Sequence, residues 1–217
     1  MANIAIDGPA GAGKSTVAKE IARLKGIIYL DTGAMYRAVA LKAIRQGIDC
    51  SDATAVSDML DKTQIKVLCD GVEQRIFADG EDITSLIRTN EVSTGASKVA
   101  VIPAVRLKLV DMQRAIAKER DVVMDGRDIG TYVLPDAKHK FFVTASVDER
   151  ARRRWLELKQ RGQDRPLEEI KAEIEFRDKN DSSREFAPLK QADDAVLVDT
   201  TDLNIDQVIE KILALIG

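Results

Sequence analysis

Apolar positions along this chain fall into two rhythms. Short apolar runs recur at residues 3–6, 27–30, 122–124, 140–143 and 195–198. Each predicts a strand of the kind buried on both faces. Between them the apolar residues recur every three or four positions: Val17, Ile21 and Leu24; Tyr36, Val39 and Ala43; then Val105, Leu109, Met112 and Ile116, with Pro103 at a first turn; finally Ile205, Val208, Ile209, Ile212 and Ile216. These stripes predict helices that turn one face to a core. Strand and helix in alternation signify an α/β fold, a parallel sheet covered on both sides.

One region departs from that alternation. Residues 64–83 hold short β-rich runs separated by Asp70-Gly71 and Asp79-Gly80, which predicts a small antiparallel meander inserted into the α/β chain. It is too small to stand alone, so it should lean on the helices expected at 52–60 and 91–100.

Composition then narrows the class. A chain of 217 residues with 45% hydrophobic content buries roughly 70% of its unfolded surface and needs no metal or disulfide staple. A net charge of −3 argues against a general nucleic-acid binder. Cys50 and Cys69 lie outside any C-x-x-C pattern, as expected of reduced thiols. His139, the only histidine, is expected at a solvated strand end. No apolar run approaches the roughly 20 residues of a membrane span, so the expectation is a cytoplasmic protein.

The stretch with the clearest chemistry is Gly8-Pro9-Ala10-Gly11-Ala12-Gly13-Lys14-Ser15-Thr16, set between the first strand and the first helix. Its G-x-x-x-x-G-K-S pattern lets backbone N–H groups turn inward around a phosphate. Lys14 reaches the outer phosphates, Ser15 offers a hydroxyl to Mg²⁺, and the helix dipole adds positive character.

Four further stretches address a second substrate. Asp31-Thr32-Gly33-Ala34-Met35-Tyr36-Arg37 follows the second strand, at the edge where open α/β sheets hold ligands. Read as structure alone, Thr32 caps a helix and Arg37 is a solvated charge. Asp125-Gly126-Arg127-Asp128-Ile129-Gly130-Thr131 follows the third strand. Ser146 and Glu149 form a capping box ahead of Arg150, Arg152, Arg153, Arg154 and Arg161, with Ala151, Trp155 and Leu158 as a packing stripe. Such guanidinium groups suit a transferring phosphoryl group and a lid that expels water. Arg177, Asp181 and Arg184 share one helical face if the helix extends that far, by spacing either an ion-pair set or a ligand site.

On Ile6-Asp7-Gly8 through Ser15, the Asp31–Arg37 and Asp125–Thr131 motifs, and Arg177 through the Ala187-Pro188-Leu189 ending, the chain resembles bacterial-type cytidylate kinases of the P-loop nucleoside monophosphate kinase group. The resemblance runs end to end. It implies a P-loop NTPase three-layer fold with a five-stranded parallel sheet, a small antiparallel insert and a helical lid. Within a single kinase unit the core would be 1–33, 90–147 and 166–217, the monophosphate-binding insert 34–89 and the lid 148–165. It further implies transfer of the γ-phosphoryl group of ATP to CMP or dCMP with Mg²⁺, by a monomer without nucleic-acid or membrane partners.

Carried over by position, the resemblance assigns Gly8 through Thr16 to ATP and Ser15 to the metal. Thr32, Tyr36, Arg37, Gly126 and Arg127 go to the acceptor monophosphate, and Ser97, Arg106 and Asp128 to cytosine. Arg177 and Asp181 go to the sugar and Arg184 to the phosphates. Lys14, Arg127, Arg154 and Arg184 act in catalysis. The family often has serine where Thr32 stands, an exchange that keeps the hydroxyl. The alternatives are a P-loop kinase for UMP, AMP or a metabolite such as shikimate, and a nucleotide-dependent switch. The absence of an N-K-x-D motif weighs against the switch.

Overall fold

The computed structural model describes residues 3–160 and 162–217. Met1 and Ala2, and Arg161 of the arginine-rich run, lie outside the described residues. Five parallel strands run in the order β2-β6-β1-β7-β8: β1 Ile4–Asp7, β2 Ile28–Asp31, β6 Val122–Gly126, β7 His139–Thr144 and β8 Val196–Asp199. The chain divides into two compact units, one of residues 22–125 with Asn3 and one of residues 4–21 and 126–217.

In the first unit β2 and β6 pair in parallel, Ile28 beside Val122 through Asp31 beside Asp125. Helix α2, Thr32–Arg45, follows β2 directly and buries Met35, Ala38, Val39 and Ala43 completely. Helices α3 Ala53–Asp61, α4 Asn90–Val99 and α5 Pro103–Glu119 complete the unit, with Pro103 in the first turn of α5.

The meander forms a three-stranded antiparallel sheet of β3 Ile65–Asp70, β4 Glu73–Ala78 and β5 Glu81–Asp82. Its second turn is Asp79-Gly80, both with positive φ (50° and 86°), the tight turn that matches strand twist. The first turn is displaced by one residue from the expected Asp-Gly pair. Asp70 pairs with Glu73, so Gly71 and Val72 make the loop. Polar ties link the meander to β2 and α2: Gln74 exchanges hydrogen bonds with the Asp31 backbone at 2.7 and 3.2 Å, and Lys42 and Arg45 pair at the surface with Asp79 and Glu81.

In the second unit β7 lies between β1 and β8. Helix α1, Lys14–Lys25, buries Val17 and Ile21, but Leu24 is 47% exposed, and Ala18 and Ala22 complete the inward face instead. Helices α6 Val147–Gln160 and α7 Leu167–Ser182 share a small core of Ala151, Leu158, Ile170 and Ile174, with Trp155 packed against it. Helix α8, Ile205–Ile216, buries Val208, Ile209 and Ile212, while Ile205 in its first turn faces water. Strand β8 departs from the both-faces-buried expectation: it ends the strand order, and Val196 and Leu197 are exposed. No described helix is long and apolar enough to cross a membrane.

Candidate active site

In the first unit the expected residues gather on three helices. Asp31, not Thr32, caps α2 by accepting from the Ala34 N–H at 2.9 Å. Thr32 is thereby released from capping; its buried hydroxyl donates to the Asp125 carbonyl at 2.7 Å and ties α2 to the end of β6. The Asp125 carboxylate accepts from the Tyr29 hydroxyl at 2.8 Å. Arg37, one turn along α2, donates to Asp31 at 2.6 Å, and its buried Nε has no hydrogen-bond partner. It is therefore an anchored guanidinium with unused donor capacity, and no longer a solvated charge.

Tyr36 places its ring 5.8 Å from the Arg106 guanidinium, a cation–π contact. Arg106, on α5, is 1% exposed and donates to the Ala100 carbonyl at 3.1 Å. An almost fully buried guanidinium requires such partners, because an unpaired one is costly to desolvate. Ser97, on α4, is half-buried and donates to the Ser93 carbonyl at 3.4 Å.

In the second unit the glycine-rich loop runs from the end of β1 to the first turn of α1. Gly8 can be no other residue: its φ is 145°, and a Cβ there would lie 1.9 Å from the Val143 carbonyl oxygen. Pro9 is buried, and Lys14, 5% exposed, donates to the Pro9 carbonyl at 2.6 Å. Ser15 and Thr16 are exposed on the first turn of α1. Asp7, just before Gly8, is buried and accepts from the Ile129 and Gly130 N–H groups. Burial pushes its carboxyl up to about 7, helped by the charge of Asp128 and opposed by the two amides and Lys14.

Gly126 ends β6, and Arg127 and Asp128 lead into a π-helix at Ile129–Val133, an irregularity common at functional sites. Arg127 donates through Nε to Asp181 at 2.7 Å, and Arg184 pairs with the other oxygen of the same carboxylate. Burial alone would raise Asp181; Arg127 and Arg184, then Arg177, hold it below the usual carboxylate range. Helix α7 stops at Ser182, so Arg184 returns to Asp181 from beyond the helix end, contrary to a continuous shared face. The Asp181 carbonyl accepts from Leu189, closing a loop in which Ala187 adopts φ 47°.

The arginines of α6 divide by burial. Arg150 is 4% exposed and donates to the Ala145 carbonyl, to the Ala10 carbonyl of the glycine-rich loop at 3.1 Å, and pairs with Asp178 at 2.6 Å. Arg153 holds Thr200, Arg152 pairs with Glu149, and Arg154 pairs with Glu157. The expected capping box is only half made. Ser146 accepts from the Glu149 N–H, but the Glu149 carboxylate serves Arg152 and Arg153, and the Ser146 N–H goes to Thr201.

Arg150, expected among the lid arginines, is instead buried against the glycine-rich loop, while Asp7, Asp125 and Thr200 received no role from the sequence. Only Asp7 and Asp125 carried a signal, each being an acid at the end of a strand that opens a glycine-bearing motif. Both cysteines are raised by burial, Cys69 to about 11, which makes them poor nucleophiles. Among the described residues no group of three or more His, Cys, Asp or Glu could hold a metal ion.

Comparison with known proteins gives a consistent result. A family model described as cytidylate kinase matches residues 4–217. A cytidylate kinase of Caldicellulosiruptor bescii is 53% identical over 214 residues, covering 98% of this chain and 94% of the relative. That of Shouchella clausii is 51% identical over 214 residues, covering 99% and 95%. That of Desulfitobacterium hafniense is 52% identical over 212 residues, covering 98% and 91%. Among solved structures, an uncharacterized protein from Eubacterium ventriosum matches with a TM-score of 0.55 at 12% identity, covering 100% of this chain and 98% of that one. That likeness speaks to fold alone.

Proposed function

Because the chain belongs to the cytidylate kinase family, we propose that it transfers the γ-phosphoryl group of ATP to CMP or dCMP, releasing ADP and CDP or dCDP. The observation that supports this reading best is the clasp of Arg127 and Arg184 on Asp181, in the same unit as the glycine-rich loop and Lys14. Two guanidinium groups held beside one carboxylate are already desolvated and oriented, and an acceptor phosphate is a second anion they can serve.

Residues 8–16 hold the ATP phosphates, with Lys14 exchanging the Pro9 carbonyl for a phosphate oxygen. Mg²⁺ fits the donor set present. It favours phosphate oxygens and one or two protein oxygens over an all-protein cage, and the Ser15 hydroxyl stands exposed at the loop. When bound, the ion offsets charge on the β- and γ-phosphates. The acceptor oxygen is already ionised at neutral pH, so the residues need supply no general base; they align the phosphates and compensate charge. Arg127, Arg184 and Arg154 of the lid do so at the transferring group, while Thr32, Tyr36, Arg37 and Gly126 hold the acceptor monophosphate. Arg177 and Asp181 hold the sugar.

Asp128, with Ser97 and Arg106, reads cytosine. A carboxylate accepts from the exocyclic amine, whereas uracil presents an acceptor there. The mismatch costs roughly 1–3 kcal/mol, or about 10- to 100-fold in preference.

An ADP-release assay with CMP, dCMP, UMP and AMP side by side tests the assignment, with the cytidine nucleotides expected to lead. Preference for UMP, AMP or neither overturns it. Lys14→Ala is expected to lower turnover by about 100- to 1,000-fold.

A further inference from the structure

Asp7 closes β1 and stands one residue ahead of the glycine-rich loop, 4% exposed. Its Oδ1 accepts from the Ile129 N–H and its Oδ2 from the Gly130 N–H, each at 2.7 Å. Two consecutive amides on the two oxygens of one carboxylate fix a loop in rotation as well as in position. An uncharged side chain of this size has only one carbonyl-type acceptor to offer. The amides directly follow Asp128, whose own carbonyl accepts from Tyr132 and Val133 to open the π-helix. The packing is close on the other side too. A Cβ on Gly130 would lie 3.3 Å from Asp7 Oδ2 and 3.2 Å from Lys140 Cδ.

The charged groups facing Asp7 are Lys14 and Asp128, with Lys140 beyond Gly130 and itself paired to Asp194. Burial penalises the charged form, yet that form is the stronger acceptor for both amides. A buried titratable group set against its own solvation preference, beside candidate site residues, points to a functional site.

We propose that Asp7 is a positioning residue, a clamp that fixes the Arg127-Asp128 loop to the end of β1 so that the phosphate-binding and acceptor-reading loops keep one spacing. It reaches the acceptor only through the backbone of Ile129 and Gly130. The inference rests on the acceptor role given above to Arg127 and Asp128.

Asp7→Asn preserves volume but sets an amide donor against a backbone donor. Expected are a rise in KM for CMP of about 10- to 100-fold and a reduced preference for CMP over UMP. The Kd of a non-reactive ATP analogue should move by less than about threefold. Gly130→Ala presses on the same contact from the other side and should shift KM for CMP in the same direction, so it decides the matter if Asp7→Asn does not fold. Asp128→Asn runs in parallel. If it leaves CMP affinity and base preference unchanged, the acceptor reading of the loop fails and the inference with it. If Asp128→Asn alters them while folded Asp7→Asn and Gly130→Ala do not, the clamp is refuted and the acceptor reading stands. Weakened ATP-analogue binding with intact CMP kinetics also refutes the clamp, assigning Asp7 to the donor loop.

Discussion

Asp7 and Asp181 are both carboxylates buried in the second unit, 4% and 1% exposed, yet their surroundings push them in opposite directions. Asp181 meets guanidinium groups on side chains that can rotate, and it stays ionised well below the usual range. Asp7 meets two backbone amides that cannot rotate, and its carboxyl is raised to about 7. Formal opposite charge compensates burial; partial charge on peptide groups does so only in part. The difference separates two tasks. Side-chain cations can be lent to a ligand, while the Ile129 and Gly130 amides, taken up by Asp7, hold their loop still.

The largest test of this contrast is Asp181→Ala. It leaves Arg127 and Arg184 without their shared anion, and the expected loss is about 3–5 kcal/mol in denaturant unfolding. A loss below about 1 kcal/mol would mean that the arginines find other partners, and the contrast would fail.

Asp7 gives a smaller effect of a different sign. Its carboxyl is raised from 3.8 in the folded protein, so the native state binds that proton more tightly than the unfolded chain. The stability this contributes is present below about pH 4 and lost as the pH rises through about 7. Asp7→Asn has no such proton to lose. Its stability relative to the wild type should therefore improve between pH 4 and pH 8, by on the order of 2–4 kcal/mol in paired urea melts. The same substitution would then impair acceptor binding while becoming less harmful to the fold at higher pH.

Glu149 lies at the low end of the scale. Hydrogen bonding from Arg152, then from Arg153, holds it near 2, so its contribution exists above about pH 4.5 and fades as the pH falls toward 2. Arg152 is 56% exposed, and water screens the pair. Glu149→Gln is expected to cost at most about 1 kcal/mol at pH 7 by thermal unfolding.

What could be read from the chain beforehand follows the same division. The glycine-rich loop was legible because a phosphate cradle demands a contiguous run of fixed residue types. Asp7 received no role because its partners lie 122 and 123 positions away and are backbone groups, which leave no mark in sequence. The Arg177, Asp181 and Arg184 spacing was visible, but a helix ending at Ser182 turned an expected face into a loop folding back. Thr32 and Asp31 are both good helix caps, and only the position of the Asp125 carbonyl decided which was used. Exposure was the least legible property. Leu24, Ile205 and Leu197 fit apolar patterns, and only the placement of the neighbouring elements leaves them in water.

Strand β8 is the outermost in its order, only four residues long, with Val196 and Leu197 uncovered. Such a rim invites a stray strand from another molecule to add on. Here Asp193 and Asp194, paired with Lys190 and Lys140, precede it and the exposed Asp199 terminates it. A strand of four residues with an exposed carboxylate at its end offers an approaching copy few backbone groups to pair with.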